Sequence, residues 1–296
     1  MAEKVAFIGL GIMGSEMARH LADAGFDVGV HNRTRAKAEA WVAANGGRVA
    51  DAPAEAAAGA VFVASCVGDD DDLRWVTVGP GGAFATMAAG AIFCDHTTAS
   101  ASVAREIAAA AAARGIAFLD APVAGAVESA IEGALTVFVG GEAGAAAAAM
   151  PYLKAYAGRI THLGPASSGQ IAKMINQIMV AANLQSLAEA VAFTLETGQD
   201  TDAVLDVMRS STAATWMLYN RAARLVNRAF ATDAGGVDIM IKDLSLVLDE
   251  ARRHKVAMPA SAVVAQFFAE LGAQGRGRWE TATLMTRLGG LGGKTR

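Results

Sequence analysis

The pattern of apolar and polar residues changes near residue 165 of this chain. Before that point, short apolar runs rich in β-branched and aromatic residues alternate with segments of helical spacing, and after it only helical spacing is found. Alternating strand and helix signals are typical of a parallel sheet covered by helices. We therefore predict an α/β fold, with a Rossmann-type doubly wound sheet over residues 1–164 and an all-α domain over residues 165–296.

A long segment without helix breakers joins the two regions. Residues 170–197 contain neither Pro nor Gly, Ser167 and Ser168 can cap a helix start, and Gly198 can take the left-handed conformation that ends a helix. At 1.5 Å per residue such a helix is about 40–45 Å long, which is more than one compact domain needs. We predict that residues 165–198 form an interdomain helix.

The first predicted strand, Lys4–Ile8, leads directly into a glycine-rich turn. Helical spacing follows up to Gly25, and a second strand begins at Asp27. In this context a Gly-x-Gly-x-x-Gly motif is typical of dinucleotide binding, because its glycines allow a tight turn, a close backbone approach to a pyrophosphate and close helix–strand packing. The alternative is a glycine turn without a ligand. The predicted cofactor-binding residues of this turn are Gly9, Leu10, Gly11, Ile12, Met13 and Gly14.

The end of the second strand bears on which dinucleotide is bound. An NAD site usually offers Asp or Glu there to the ribose 2′-hydroxyl, and residues 30–35 contain no carboxylate. Arg33 can instead stack on adenine and pair with a 2′-phosphate, and Asn32 and Thr34 can add hydrogen bonds. The alternative is that Arg33 and Arg35 merely begin the next helix, although cations are disfavoured at a helix N-terminus. We predict that NADP(H) is favoured over NAD(H).

Loops at the carboxyl ends of later strands are the predicted pocket walls, because ligands of open α/β sheets gather at that edge. The acidic run Asp69–Asp72 follows one of these loops. We interpret the run as an acidic helix N-terminus, which suits the helix dipole, rather than as a set of metal ligands. The loops concerned are residues 66–68, 95–98 and 120–126, of which Cys66, Val67, Gly68, Thr97 and Thr98 are assigned to the cofactor site.

Composition excludes several other classes of protein. Of the 296 residues, 53% are hydrophobic, which fits a folded protein with a sizeable core. The formal net charge of −4 gives no electrostatic footprint for nucleic acid or an anionic membrane. The two cysteines, Cys66 and Cys94, are predicted to be buried thiols of a reducing compartment. The five His lack metal-ligand spacing, so no metal is expected. The N-terminus shows neither a signal peptide nor a membrane span, so we expect a cytoplasmic location, and the tail from Gly289 is expected to be disordered.

Candidate chemistry in the second region begins on the long helix. Lys173, Asn176 and Gln177 are three and four residues apart, which puts them on one face. Apolar residues surround Lys173 in the sequence, and a half-buried lysine has a shifted pKa and can perform acid–base chemistry. The alternative is a solvated lysine. Trp216 is a candidate substrate contact with core packing as its alternative, and Lys242 taken alone is typical of a helix surface.

Four motifs in order resemble the β-hydroxyacid dehydrogenase family, which includes 3-hydroxyisobutyrate dehydrogenase, tartronate semialdehyde reductase and the glyoxylate/succinic semialdehyde reductases. The resemblance covers nearly the whole chain. The motifs are the glycine turn at residues 9–14, Asp120-Ala121-Pro122-Val123, Gly169 with Lys173 and Asn176, and Lys242-Asp243-Leu244.

The resemblance implies a role for individual residues. Lys173 matches the catalytic lysine of the family, and Asn176 and Gln177 match polar positions that hold the substrate. Thr97 and Thr98 match a loop at the nicotinamide end, and Lys242 matches a lysine that reaches the cofactor site. The segment whose backbone N–H groups bind the substrate carboxylate corresponds to Val123, Ala124, Gly125 and Ala126.

This substrate segment departs from the family pattern. The family usually has Ser-Gly-Gly where this chain has Ala124-Gly125-Ala126. Ala124 lacks the hydroxyl that would donate to a carboxylate, and a hydrogen bond to a charged group is worth roughly 1.5–3 kcal/mol. We expect a different substrate headgroup, or binding that relies on the backbone.

Together these features predict an NAD(P)-dependent oxidoreductase that transfers hydride between nicotinamide and a small β-hydroxy acid or semialdehyde, with Lys173 as general acid and base. Two alternatives stay open. An imine reductase shares the architecture, but that resemblance usually has Asp or Tyr at the lysine position. A non-catalytic dehydrogenase-like protein lacks the lysine. The apolar circumference of the long helix predicts a homodimer or homotetramer.

Overall fold

The computed structural model describes residues 2–231 and 235–288. It divides into two compact units, Met1–Lys173 and Met174–Arg296. The tail from Gly289, for which we predict disorder, lies outside the described residues. The α/β class of the first unit and the helical class of the second are both as predicted.

A sheet of nine strands forms the first unit. Its order is β3-β2-β1-β4-β5-β6-β8-β7, with β9 paired to β8. The run from β3 to β6 is parallel, whereas β8 is antiparallel to β6 and β7. The strands are β1 (Lys4–Ile8), β2 (Asp27–His31), β3 (Arg48–Val49), β4 (Phe62–Ser65), β5 (Ile92–Asp95), β6 (Ala117–Asp120), β7 (Val123–Ala124), β8 (Leu135–Gly141) and β9 (Ala157–Gly164).

Helices cover both faces of the sheet, as a doubly wound fold requires. One core packs Met17, Leu21 and Trp41 against one face, and the other packs Leu73 and Ile107 against the opposite face. The helices are α1 (Ile12–Asp23), α2 (Arg35–Asn45), α3 (Pro53–Ala57), α4 (Asp70–Thr77), α5 (Ala101–Ala112), α6 (Val127–Ile131) and α7 (Ala143–Leu153).

The long helix α8 (Ser168–Glu196) has 29 residues and continues from the first unit into the second. Gly198 lies two positions after the end of α8. Its φ of 69° is the left-handed conformation predicted for it. By length and composition α8 could cross a membrane. However, Leu184, Leu187 and Val191 are buried among helices of the second unit, which is the behaviour of a core helix.

Short helices complete the second unit. They are α9 (Thr201–Arg209), α10 (Trp216–Val226), α11 (Gly236–His254) and α12 (Pro259–Ala273). Asp200 caps α9 by accepting a 3.1 Å hydrogen bond from the Ala203 N–H. After α12, a 3₁₀ helix forms over Thr281–Arg287. Its Leu284 and Met285 are buried in the two helical cores.

Candidate cofactor and catalytic site

The glycine turn between β1 and α1 has room for a ligand at one position and none at the other two. Gly9 has a φ of 97°, and a Cβ there would lie 2.3 Å from the Cys66 carbonyl oxygen. A Cβ on Gly14 would lie 2.1 Å from the Gly9 carbonyl oxygen, which no side chain could tolerate. A Cβ on Gly11 would meet no atom within 4 Å. The Cys66 backbone therefore closes the turn at Gly9, and the turn's own backbone closes it at Gly14, which leaves space only beside Gly11.

The N-terminus of α1 is suited to an anion. Gly11 precedes the first helical residue, Ile12, and no side chain caps this end of the helix in the part of the chain that the structure describes. The first turn contains no acidic residue either. Unpaired N–H groups and the positive end of the helix dipole therefore face the open position at Gly11. A dinucleotide pyrophosphate fits this arrangement.

The loop after β2 is tied to the glycine turn by Asn32. Its Oδ1 accepts a 2.9 Å hydrogen bond from the Leu10 N–H, and its Nδ2 donates to the Thr34 carbonyl oxygen at 3.0 Å. Both polar groups of Asn32 thus bind the protein backbone. Asn32 thus shapes the loop, and the hydrogen bond to a cofactor that we predict for it stays a prediction.

The end of β2 carries a neutral histidine and an exposed arginine. His31 is buried with its Nδ1 3.1 Å from the Ala50 carbonyl oxygen, and burial lowers its pKa. Arg33 has 82% of its side chain exposed and lies 3.0 Å from Asp72 through Nη1 and Oδ1. Arg35 begins α2, where it pairs with Glu39 at 2.7 Å. Arg35 is thus paired along its own helix, and the assignment of Arg33 to a cofactor stays a prediction.

Each of the four consecutive acids at the start of α4 has its own partner. Asp69 caps the helix by accepting from the Asp71 and Asp72 N–H groups, and Asp70 accepts from Ser100 at 2.8 Å. Asp71 pairs with Arg74 at 2.9 Å, while Asp72 binds Arg33. The predicted acidic helix N-terminus is confirmed. Among the described residues no three His, Cys, Asp or Glu side chains are grouped as metal ligands.

A buried carboxylate joins the loops after β4 and β5. Asp95 Oδ1 accepts from Ser65 Oγ at 2.7 Å and from Thr97 Oγ1 at 2.6 Å, and Thr97 Oγ1 in turn accepts from the Val67 N–H at 3.0 Å. Asp95 Oδ2 has no hydrogen-bond partner among the described residues. Burial raises the pKa of Asp95 to about 7. This network holds Val67 and Thr97 in place.

The exposure of the loop residues refines their predicted roles. Thr97 is 1% exposed because its hydroxyl is used inside the network, whereas Thr98 is partly exposed at the surface of the loop. Cys94 is a buried thiol as predicted, but Cys66 is partly exposed. The prediction of a buried Cys66 is wrong, because this residue lies just past the end of β4, at the edge of the sheet.

His96, which follows Asp95, stabilises the sheet from within. Its Nδ1 lies 2.6 Å from the Ala121 carbonyl oxygen, and its Nε2 lies 2.8 Å from the Tyr156 hydroxyl. Complete burial lowers the pKa of His96 to about 4. The side chain is therefore neutral at physiological pH, and it connects the end of β5 with the residue after β6 and the residue before β9.

Asp120 anchors the start of α8. Its Oδ1 accepts from the Ser167 N–H at 2.7 Å and its Oδ2 from the Gln170 N–H at 2.9 Å. A Cβ on Gly169 would lie 2.4 Å from the Asp120 carbonyl oxygen, and a Cβ on Gly140 would lie 2.5 Å from Asp120 Oδ1. Helix and strand therefore approach so closely that only glycine fits at both positions.

Gln170 connects the same helix to the loop after β5. Its Nε2 donates to the Thr97 carbonyl oxygen at 2.7 Å, and its Oε1 accepts from the Ala99 N–H at 3.1 Å. Lys173 follows one helical turn later and is 9% exposed. The structure thus fixes the helical turn that carries Lys173 to the loop that contains Thr97. The lysine is buried, as its apolar surroundings predict.

The segment predicted to bind a substrate carboxylate is more regular than expected. Val123 and Ala124 form the short strand β7, paired with Val137 and Thr136. Gly125 has a φ of 135°, and a Cβ there would lie 2.8 Å from Ser129 Cβ. Ala126 precedes α6 as its N-cap. The segment therefore consists of a short strand, a glycine whose φ would strain any other residue, and the start of a helix. It is not a free loop.

Within the second unit, Gln177 and Lys242 share one acidic partner. Gln177 Nε2 donates to Asp243 Oδ2 at 2.7 Å, and Lys242 Nζ lies 3.5 Å from Asp243 Oδ1. Asp243 is 2% exposed and Gln177 is 6% exposed. The Gln177 amide nitrogen, for which we predict a role in substrate binding, thus compensates a buried carboxylate. Asn176 is partly exposed beside it.

Trp216 is a surface residue of the second unit. It begins α10 with 51% exposure, and the Arg221 guanidinium lies 5.1 Å from its ring centroid. Core packing, the alternative raised for this tryptophan, is not what the structure shows. Its assignment as a substrate contact stays a prediction.

Several residues of the site escaped prediction from the sequence. Asp72, Asp95 and Gln170 each bind a partner at least 20 positions away or belong to a buried network. The signals that could have found them are the acids at strand ends and a polar residue within an otherwise apolar helix start. Their partners, however, depend on tertiary structure.

Two sequence families match the chain in succession. Residues 4–164 match the NAD-binding domain of 6-phosphogluconate dehydrogenase, and residues 167–288 match the NAD-binding domain of NADP-dependent 3-hydroxyisobutyrate dehydrogenase. These ranges include the glycine turn, Asp120, Lys173 and Lys242. The two matches together cover nearly all of the described chain.

Individual relatives agree with this result. An uncharacterized oxidoreductase of Shewanella frigidimarina is 47% identical over 96% of this chain and 98% of its own length. The 3-hydroxyisobutyrate dehydrogenase of Pseudomonas aeruginosa is 34% identical over 89% and 90% of the respective chains. The solved 3-hydroxyisobutyrate dehydrogenase of Mycobacterium tuberculosis, described with L-serine, has a TM-score of 0.88 at 28% identity and covers 98% of this chain and 100% of that one.

A Pseudomonas imine reductase structure is more distant. Its TM-score is 0.63 at 20% identity, over 97% of this chain and 99% of its own, so it shows the fold alone. The full-length matches and the arrangement around the glycine turn and Lys173 lead to one conclusion. The chain belongs to the β-hydroxyacid dehydrogenase family of NAD(P)-binding oxidoreductases, of the 3-hydroxyisobutyrate dehydrogenase type.

Proposed function

We propose that this protein is an NADP(H)-dependent oxidoreductase that interconverts a small hydroxy acid and the corresponding semialdehyde or keto acid, with Lys173 as the acid and base. The single observation that carries the proposal is the environment of Lys173. This lysine is buried, and it lies one turn beyond Gln170, whose amide binds Thr97 and Ala99 in the loop after β5.

The role of Lys173 follows from the charge that develops on the substrate. When bound, the nicotinamide supplies or accepts the hydride at the reacting carbon. The substrate oxygen gains negative charge during reduction, and an ammonium group beside it stabilises that charge and gives up a proton. In the oxidation direction the neutral amine takes the hydroxyl proton. Burial strengthens both effects because little water competes with the substrate oxygen.

The preference for NADP(H) rests on the end of β2. The residues there offer no carboxylate to a 2′-hydroxyl, the neighbouring His31 is neutral, and the exposed guanidinium of Arg33 can pair with a 2′-phosphate. The description of the family matched by residues 167–288 also names an NADP-dependent enzyme. We therefore assign the phosphorylated cofactor as the preferred one.

The substrate class follows from the relatives and from one departure. One relative, from Cupriavidus necator, is named L-threonate dehydrogenase and is 32% identical over 98% of both chains. Another is named 3-hydroxyisobutyrate dehydrogenase. Both names refer to a hydroxy acid. This chain has Ala124 and Ala126 around a strained Gly125. A carboxylate bound here would rely on backbone N–H groups, since no hydroxyl is present at residue 124.

Two other activities are weighed against this proposal. An imine reductase would share the fold, but Lys173 favours chemistry at a carbonyl or alcohol oxygen. A non-catalytic binding protein would have no use for a lysine buried one turn beyond the residue that binds the loop after β5. Both alternatives make different predictions in the assay that follows.

The assay measures oxidation of NADPH and NADH with a panel of carbonyl compounds. The panel contains succinic semialdehyde, glyoxylate, tartronate semialdehyde, methylmalonate semialdehyde and a cyclic imine. Turnover of a semialdehyde or keto acid with NADPH supports the proposal. Turnover of the imine alone would favour the imine reductase. Tight NADPH binding without turnover of any hydroxy acid or carbonyl compound would favour a binding protein.

We also propose that the protein is a homodimer or homotetramer. Ile175, Met179 and Phe193 on α8 are 55%, 59% and 72% exposed, which is unusual for large apolar side chains of a helix. A second subunit would remove these side chains from water. Sedimentation at micromolar concentration tests this, and a monomer under those conditions would contradict it.

A further inference from the structure

An ion pair lies at the end of β2, where we have assigned the 2′-phosphate of NADP(H) to Arg33. Arg33 follows β2 and Asp72 lies in the first turn of α4, after β4, with 3.0 Å between Nη1 and Oδ1. Strands β2 and β4 flank β1 in the sheet. The pair therefore joins the two loops on either side of the glycine turn, and it uses the same guanidinium that a 2′-phosphate would require.

Asp72 is the more constrained member of this pair. Its side chain is 32% exposed, whereas that of Arg33 is 82% exposed. Its Oδ2 also accepts a 3.2 Å hydrogen bond from the Gly68 N–H. A Cβ on Gly68 would lie 2.7 Å from the same oxygen, so the carboxylate is held closely against the loop after β4. Asp72 thus presents a fixed negative charge to a flexible arginine.

The other acids of the run do not act on Arg33. Asp69 and Asp70 bind backbone and side-chain groups at the starts of α4 and α5, and Asp71 pairs with Arg74. Asp72 is therefore the member of the run whose charge is directed at the end of β2. Its position, and not the acidity of the run as a whole, gives it a distinct effect.

We propose that Asp72 is a specificity-determining residue that limits the preference for NADPH over NADH by competing with the 2′-phosphate for Arg33. This inference rests on the proposed NADP(H)-dependent function. A phosphomonoester carries a charge of about −1.5 to −2 at neutral pH. To pair with Arg33 it must displace the Asp72 carboxylate and then lie near that like charge. The 2′-hydroxyl of NADH carries no charge and leaves the ion pair intact.

Fluorescence titration with NADPH and with NADH tests the inference through dissociation constants. Asp72→Asn removes the charge, and the amide oxygen can still accept from the Gly68 N–H. We expect NADPH to bind about tenfold more tightly, because like charges a few ångströms apart near a surface repel by about 1–2 kcal/mol, which is roughly tenfold in affinity. We expect the dissociation constant for NADH to change by less than about twofold, since its 2′-hydroxyl carries no charge that Asp72 could repel.

The matched control is Asp71→Asn. It removes the same charge one residue earlier, from a side chain that is 93% exposed and pairs with Arg74 on its own helix. We expect it to leave the ratio of the NADPH and NADH dissociation constants within about twofold of the wild-type value. The control separates the position of Asp72 from the general loss of a negative charge near the cofactor.

The variant Arg33→Ala completes a double-mutant cycle. On its own it should weaken NADPH far more than NADH. In the Arg33→Ala background, Asp72→Asn should improve NADPH binding by about threefold or less, because no guanidinium is left to release. A tenfold gain in both backgrounds would overturn the competition for Arg33, because Asp72 would then act on the phosphate alone.

Two failures can be told apart. If Asp72→Asn leaves the NADPH to NADH ratio unchanged while wild-type protein binds both nucleotides, this inference is wrong and the proposed function stands. If wild-type protein binds neither nucleotide, the proposed function itself fails. Both readings come from binding alone, so the identity of the substrate does not affect them.

Discussion

The carboxylate of Asp120, at the end of β6, accepts a 2.9 Å hydrogen bond from the backbone N–H of Gln170 in the first turn of α8. A second bond, from the Ser167 N–H, uses the other carboxylate oxygen. A negative charge at this place also complements the positive end of the helix dipole. Asp120 therefore fixes the start of the helix on which Lys173 lies one turn later.

Replacing Asp120 should destabilise the protein. Asp120→Ala leaves two backbone N–H groups in the interior without their acceptor, and we expect the free energy of unfolding to fall by about 2–4 kcal/mol. Urea unfolding at pH 8 measures this. At that pH Asp120 is ionised, since burial raises its pKa only to about 6. The exposed Asp71→Ala is the control, and equal midpoints for both variants would contradict the anchoring role.

Asp95 predicts a dependence of stability on pH. Burial raises its pKa from 3.8 to about 7, so the folded state favours the protonated acid. Its contribution to stability is therefore complete below the unfolded pKa and is lost as pH rises through the folded pKa. Asp95→Asn retains an acceptor for Ser65 and Thr97 but does not titrate.

The comparison of wild type with Asp95→Asn isolates this group, because all other titrations are common to both proteins. Between pH 5 and pH 8 the free energy of unfolding of the wild type should fall by about 2–3 kcal/mol relative to the variant. Urea midpoints at several pH values measure the difference. Parallel profiles for the two proteins would show that Asp95 has an ordinary pKa.

The glycine turn predicts two opposite outcomes for the same substitution. Gly14→Ala places a Cβ 2.1 Å from the Gly9 carbonyl oxygen, so the variant should lose stability or fail to fold. Gly11→Ala meets no protein atom within 4 Å, so its melting temperature should stay close to that of the wild type. Its NADPH dissociation constant should rise by about tenfold or more, because the methyl group occupies the approach to the pyrophosphate.

Thermal melts with and without NADPH measure both variants. Stabilisation by the nucleotide should disappear or shrink in Gly11→Ala while the melt without nucleotide is unchanged. Normal nucleotide stabilisation of Gly11→Ala would mean that the cofactor does not approach the turn at this glycine.

The local features of this fold could be predicted from the sequence. The strand Lys4–Ile8, the glycine turn and α1 follow one another along the chain, and the close approach to the Gly9 carbonyl oxygen within the turn dictates glycine at residue 14. The long helix lacks internal breakers, so its extent could be predicted closely as well. In each case neighbouring residues contain the information.

The contacts of the site that the sequence could not predict join residues far apart in the chain. The Asn32 side chain binds the Leu10 N–H and the Thr34 carbonyl oxygen, and the sequence did not predict the contact with Leu10. Arg33 and Asp72 are 39 residues apart and meet only because β2 and β4 both flank β1. No pattern in the sequence specifies which acid of a four-residue run faces a given arginine. That choice depends on how α4 packs.

The segment over residues 123–126 shows a third kind of limit. Its resemblance to a substrate-binding motif was visible, but its pairing with β8 was not, because two-residue strands carry no periodicity. Gly125 has a positive φ that would strain a residue with a side chain. This explains why a glycine lies at this position between two alanines.

The central claim is tested most directly by turnover of Lys173→Ala with NADPH and the best substrate of the panel. We expect turnover to fall by about 10²–10⁴-fold, since general acid catalysis is lost. The NADPH dissociation constant should stay within about twofold of the wild-type value, since the glycine turn and Arg33 are unchanged. Lys154→Ala, which removes an exposed lysine of the same unit, should retain wild-type turnover. Near-normal turnover of Lys173→Ala would contradict the assignment of this lysine as the acid and base.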